Sequence, residues 1–112
     1  MELNNANPEE RLIVYGSLAP GGSNAFMLKS LIGEWYRCLI RGYLGRYRGF
    51  KSFRYDPQGP EHSAWLFSSS ELPGFIQDLD EFEGEEYERI VIPAQVGDRW
   101  FLAQVYEGKC WD

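Results

Sequence analysis

Between Leu72 and Glu83 the sequence carries a helical stripe that ends in an acid. Leu72, Phe75, Ile76, Leu79 and Phe82 recur at the i, i+3, i+4, i+7 spacing of a helix face that packs on a core. At about 100° per residue, eleven steps from Leu72 bring Glu83 back to within about 20° of the start of the stripe. Gln77, Asp78 and Glu81 fall well off that stripe, where solvated residues belong. Gly84 follows directly and suits a left-handed C-cap. The pattern therefore predicts a helix over 72–83, committed to a core along one side.

Two readings of Glu83 stand at this point. The helix frays before its end and Glu83 turns to water, or the acid sits on the core-facing stripe in the last helical turn. In the second case desolvation and the negative end of the helix dipole both raise its pKa. A carboxylate so placed is a candidate proton carrier.

At 112 residues the chain has the size of one domain with its own core. No apolar run approaches the roughly 20 residues needed to cross a bilayer. Met1 to Arg11 is polar and acidic and lacks the regions of a signal peptide. Cys38 and Cys110 stand far apart, without a CxxC pair or metal-ligand spacing. The expectation is a cytoplasmic chain with two free thiols. A net charge of −6 argues against nucleic acid as a partner, because phosphate binding needs surplus cations. Yet Arg37, Arg41, Arg46, Arg48, Lys51 and Arg54 hold six of the eleven basic residues within eighteen positions. They read as solvated strand faces or as local guidance for an anionic small substrate.

Residues 1–10 are expected as a loose tail, with a single domain over 11–112. Arg11-Leu-Ile-Val-Tyr15 reads as a short buried strand feeding a glycine-rich turn, Gly16-Ser-Leu-Ala-Pro-Gly-Gly-Ser23. Ser23 or Asn24 then caps a helix through Met27, Leu28, Leu31 and Ile32 to about Gly33. Trp35–Leu44 and His62–Phe67 are strand-like, and the stretch from Gly45 to Pro60, rich in breakers, reads mostly as loop. Tyr87–Val96 and Arg99–Tyr106 flank Gly97-Asp98, a two-residue hairpin signal. Strands outnumber helices, which indicates an α+β chain with a strongly curved or closed sheet.

The glycine-rich turn matches the phosphate-loop spacing at Gly16, Gly21 and Ser23, but Gly22 stands where the lysine belongs. Nucleotide hydrolysis is thereby disfavoured. What remains is a strand–loop–helix connection: either a tight structural turn or a set of backbone N–H groups for an anion. Ser17 lacks the histidine–acid support of a serine nucleophile, since His62 is the only histidine and no G-x-S-x-G elbow is present. One histidine without clustered carboxylates also makes a poor metal site, so no metal is expected. Tyr15, Tyr87 and Tyr106 lie at strand ends or just past the helix. A phenol there either packs or carries a hydrogen bond into a cavity.

Val14-Tyr-Gly-Ser-Leu-Ala-Pro-Gly-Gly-Ser-Asn24, with Gly33-Glu-Trp35 and Arg41-Gly-Tyr-Leu44, resembles the opening of the γ-glutamylcyclotransferase-like family. Leu79-Asp-Glu-Phe-Glu-Gly84 with Tyr87 and Arg89 resembles its second signature, and Ala103-Gln-Val-Tyr106 its closing strand. The resemblance implies a small mixed β-barrel with flanking helices and a cavity between loop and glutamate. It places Glu83 at the catalytic position and Tyr15, Gly16, Ser17 and Leu18 in the substrate loop; the position of their phenols adds Tyr87 and Tyr106 as further candidates for substrate contact. It implies release of 5-oxoproline from a small γ-glutamyl amine or peptide, without metal or cofactor, and leaves the oligomeric state open. One departure stands out: His62-Ser-Ala-Trp-Leu-Phe67 replaces a Val-x-Gly-x-Leu-Phe-like strand, with Ala64 for the glycine. Beside the enzyme reading stands a non-catalytic binding module for a small anionic metabolite, using the same cavity. A structural or interaction protein is a third reading.

Overall fold

The structure is a computed structural model that describes residues 3–4, 7–16, 19–22, 25–47 and 49–109. Its elements run β1 (Leu3–Asn4), a 3-10 turn (Pro8–Glu10), β2 (Arg11–Val14), α1 (Phe26–Lys29), β3 (Glu34–Tyr47), β4 (Phe50–Tyr55), β5 (Glu61–Ser68), α2 (Leu72–Glu83), β6 (Tyr87–Val96) and β7 (Arg99–Gly108). Five of the strands close into a ring: β2 pairs with β5, β5 with β3, β3 with β6, β6 with β7, and β7 with β2. The β2–β7 pairing is parallel and the others are antiparallel, so the barrel is mixed. Leu39 opposite Gln95 closes the seam between β3 and β6. β4 extends β3 as a hairpin arm, and β1 lies parallel to the start of β7.

Side-chain alternation sorts the apolar residues into two layers. Ile13, Cys38, Ile40, Ala64, Leu66, Ile92, Ala94, Ala103 and Val105 point into the barrel, with Phe53 of β4 beside them. Three of these are alanines, which suits the narrow interior of a small barrel. The intervening positions Leu12, Val14, Phe67 and Tyr106 face outward and meet Leu28 of α1 and Leu72 and Leu79 of α2. The run Leu12-Ile13-Val14 is therefore buried on both faces, which explains its unbroken hydrophobicity.

Helix α2 occupies the span predicted from the stripe, Leu72–Glu83. Leu72 and Leu79 are fully buried, and Phe75 and Ile76 pack beside them. Burying each leucine contributes about 1.5–3 kcal/mol. Phe82 corrects the stripe: it is 41% exposed, whereas Glu83 is half-buried. On the helical wheel Phe82 lies about 80° from Leu72 and Glu83 only about 20°, so the acid, not the aromatic, completes the inner row. The chain leaves the helix at Gly84, at φ +80°, with its N–H donating to the Asp80 carbonyl at 3.0 Å.

Other expectations need revision. The supposed tail is anchored in its described part: β1 joins the sheet, and the Glu10 carbonyl accepts from Ser69 N–H at 2.8 Å. The first helix is a single turn, Phe26–Lys29, because only Leu28 is buried and Ile32 is 80% exposed. Ser23 and Asn24, its expected caps, lie outside the described residues, as do Arg48 and Cys110. The stretch expected as loop instead contains the end of β3 and all of β4. Gly42 permits this, since a Cβ there would stand 2.2 Å from the Arg54 carbonyl oxygen on the paired strand.

Candidate functional site

The last turn of α2 lays Glu83 against the mouth of the barrel where β2 ends, β6 begins and β7 finishes. Leu79, just before that turn, packs into the apolar layer under α2. Burial pushes the Glu83 carboxyl up to about 7. Among the described residues no cation pairs with it, so nothing offsets the loss of water. This is the second of the two readings that the helical spacing left open.

Three phenols stand within electrostatic reach of this acid. Tyr15 follows β2, Tyr87 opens β6, and Tyr106 lies near the end of β7. All three are pushed above their ordinary range, chiefly by burial, with the negative charge of Glu83 adding to it. They remain neutral across the physiological pH range. Their hydroxyl protons are committed to the protein: Tyr15 donates to the Tyr106 carbonyl at 2.6 Å, Tyr87 to the Lys51 carbonyl at 3.0 Å, and Tyr106 to Asp80 Oδ1 at 2.8 Å. Tyr15 also accepts from the Phe53 N–H at 3.2 Å, and its ring packs on Phe53 with centroids 5.6 Å apart. A ligand therefore meets ring surface and the remaining acceptor lone pairs rather than free phenol donors.

Gly16 begins the loop beside Tyr15, and its carbonyl accepts from the Ala19 N–H at 3.0 Å. A Cβ at Gly16 would meet no atom within 4 Å, so the backbone there borders open space. Ser17 and Leu18, the other two candidates of the loop, lie outside the described residues.

Asp80 and Arg89 belong to the second sequence motif but were not among the expected site residues. Asp80, one turn before Glu83, takes a two-pronged bond from Arg89 on β6, at 2.9 Å from Nε and 3.0 Å from Nη2. The Arg89 contact, and after burial's opposing effect the Tyr106 hydroxyl, hold the Asp80 carboxyl below its usual range. Arg89 Nη1 continues to Gln104 Oε1 at 2.6 Å, and the Gln104 amide donates to the carbonyls of Glu9 and Arg11. The shared motif of Asp80, Glu83 and Arg89, with Asp80 and Glu83 at i, i+3, was the available signal.

His62 takes no part in this cluster. Its Nε2 lies 2.9 Å from the Gly42 carbonyl, and Ala64 belongs to the barrel interior rather than to the layer under α2. Of the basic run, Arg37 covers the Trp65 ring and bonds Ser63, Arg41 pairs with Glu61 at 3.6 Å, and Arg46 donates to the Gly49 carbonyl. A cavity of about 240 Å³, bordered by Leu39, Arg41, Tyr55, Pro93, Gln95 and Trp100, lies at the Gly97-Asp98 end of the β6–β7 hairpin. Gln95 is eight residues along β6 from Tyr87, about 26 Å at the rise of a strand, so this cavity is separate from the surroundings of Glu83. Among the described residues, no group of three or more His, Cys, Asp or Glu could hold a metal ion. No helix among them is long and apolar enough to cross a membrane.

No family model matches the sequence, and no curated protein matches it. Solved structures do match the fold. YkqA from Bacillus subtilis aligns with a TM-score of 0.73 at 19% identity, over 89% of this chain and 36% of YkqA. An AIG2-like protein from Mus musculus (A2LD1, GGACT) gives 0.73 at 18% identity, over 92% of this chain and 79% of the mouse chain. At5g39720.1 from Arabidopsis thaliana gives 0.70 at 21% identity, over 89% and 68%. The chain thus spans little more than a third of YkqA but most of the mouse protein. At these identities the likeness is one of fold: a small mixed barrel with two helices, as in the AIG2-like and GGACT structures.

Proposed function

We propose that this chain is a γ-glutamylcyclotransferase-type enzyme that cyclises a small γ-glutamyl amine or peptide to 5-oxoproline, with Glu83 as general acid/base. The observation that carries the reading is Glu83 itself: a half-buried carboxylate without a pairing cation among the described residues, pushed up to about 7 in the shared barrel fold. The motif resemblance at Tyr15–Leu18 and Leu79–Gly84 supports the same assignment.

The chemistry is intramolecular acyl transfer. Ionised Glu83 takes a proton from the substrate's α-ammonium group. The freed amine attacks its own γ-carbonyl carbon, forming a tetrahedral oxyanion and closing a five-membered ring. Protonated Glu83 returns its proton to the leaving nitrogen, and the original amide C–N bond breaks. Overall two protons leave the α-nitrogen and two arrive at the leaving nitrogen, so Glu83 ends as it began. No electron is transferred. Because nucleophile and carbonyl share one molecule, holding the substrate folded supplies much of the acceleration. A carboxyl poised near neutrality suits both proton transfers. In this proposal the backbone N–H groups of Gly16, Ser17 and Leu18 hold either the α-carboxylate or the oxyanion. The phenols of Tyr15, Tyr87 and Tyr106 form a neutral wall whose oxygens accept from the ammonium.

The test is release of 5-oxoproline from a panel of γ-glutamyl amines and dipeptides by wild type and Glu83→Gln. Turnover by wild type, lost by at least a hundredfold in the variant, is the expected result. Saturable binding of a panel member without turnover by wild type would instead make the chain a binding module for a small anionic metabolite.

A further inference from the structure

We propose that Asp80, Arg89 and Tyr106 form a strut that holds the last turn of α2 against the barrel and thereby keeps Glu83 in its dehydrated position. They are positioning residues for the reaction, and in that respect the inference rests on the function proposed above.

A helix end is intrinsically weak. The final turn of any helix lacks intrahelical partners for its carbonyls and frays readily. Here it carries a carboxylate whose ionised form prefers water, so opening the turn is favoured again whenever Glu83 is charged. Leu79 is the last fully buried side chain of α2, and Phe82 is exposed, so apolar packing does not secure residues 80–83. Asp80 does. Its two oxygens take Arg89 Nε and Nη2 from β6, and Oδ1 also takes the Tyr106 hydroxyl from β7. A planar guanidinium gripping a carboxylate with two bonds fixes angle as well as distance. Arg89 is itself held by Gln104, which is tied to the backbone at Glu9 and Arg11. The strut therefore ends on strands, not on another loose segment.

The arrangement separates the two acids of this turn by role. Asp80 is occupied by charge-assisted bonds, while Glu83, three residues on, has none among the described residues. Around Glu83 stand Tyr15 just after β2, Tyr87 from β6 and Tyr106 from β7, with Glu86 in the turn before β6 acting on Tyr87 and Glu107 on β7 acting on Tyr15. Lys51 of β4 adjoins through its carbonyl, bonded by Tyr87. Releasing Asp80 lets the turn swing outward and hydrate Glu83 without disturbing the barrel interior.

The experiment follows the Glu83 carboxyl by NMR of protein carrying 13C-labelled glutamate, with Glu83→Gln identifying its signal. In folded Asp80→Asn and Arg89→Gln the titration midpoint is expected to fall by about one unit or more towards the ordinary glutamate range. Arg89→Lys, which keeps charge but not the two-pronged grip, should give a smaller fall in the same direction. Tyr106→Phe, which removes one bond, provides the same readout if either charge variant fails to fold. A role in general stability alone would lower the melting temperature and leave the midpoint of the folded protein near 7. That result in the folded variants overturns the proposal. The titration needs no turnover, so an inactive wild type with a mobile midpoint would contradict the enzyme reading and leave the strut intact.

Discussion

The Tyr15 hydroxyl donates to the Tyr106 carbonyl at 2.6 Å, across ninety-one residues of sequence. Through this bond the start of the glycine-rich loop is tied to the strand that also reaches α2, since the Tyr106 side chain donates to Asp80. Loop and helix end therefore share one scaffold, with the Glu83 carboxyl set beside it.

Tyr15→Phe should cost about 1–3 kcal/mol of stability, because it leaves the Tyr106 carbonyl and the Phe53 N–H without their partner. Urea unfolding of the purified variant measures this. A loss under about 0.3 kcal/mol would mean that water replaces the phenol at no cost, contradicting the buried bond.

Gly108 and Ser52 are packed too closely for any side chain at position 108. A Cβ there would lie 1.7 Å from Ser52 Oγ. Gly108→Ala is expected to destabilise by about 1–3 kcal/mol through overpacking, and Ser52→Gly in the same chain to recover most of that loss. Independent, additive effects in thermal melts would contradict direct contact. Ser52→Ala alone should be neutral or mildly stabilising, because Ser52 Oγ is buried without a hydrogen-bond partner among the described residues.

Glu83 also makes stability depend on pH. Its folded pKa of about 7 lies above the ordinary 4.5, so the folded state holds the proton more tightly than the unfolded state. Stability from this group is fully present below about 4.5, falls as pH rises towards 7, and is flat above. Glu83→Gln removes that decline. After discounting for partial exposure, the variant should gain about 1–3 kcal/mol relative to wild type between pH 5 and pH 8. Denaturant titrations at the two pH values check it, and an unchanged difference would show that Glu83 is hydrated.

Much of the fold was legible because its signals were periodic or punctuated. The stripe from Leu72 and the following Gly84 delimited α2, and Gly97-Asp98 marked the β6–β7 turn. The helix expected through Ile32 failed because the same spacing of Met27, Leu28, Leu31 and Ile32 suits a single turn with one buried leucine. β4 was missed because Gly45, Gly49 and Pro57 count as breakers locally, while the force that straightens the strand is the burial of Phe53 against the barrel. At the site, the spacing that returns Glu83 to the row of Leu72 allowed its burial but left a frayed, solvated helix end equally open, because helix spacing does not fix where the last turn ends. The partners of the phenols were invisible in sequence, since two of them are backbone carbonyls, at Lys51 and Tyr106, which carry no side-chain signature.

The most direct test of Glu83 as acid/base is the pH dependence of kcat/KM for 5-oxoproline release from the best γ-glutamyl substrate. The rate is expected to rise with pH through an apparent pKa near 7, as Glu83 ionises, with no comparable turnover by Glu83→Gln at any pH. A Glu83→Gln enzyme that matches wild type, or a wild-type profile without an ionisation near 7, would contradict it.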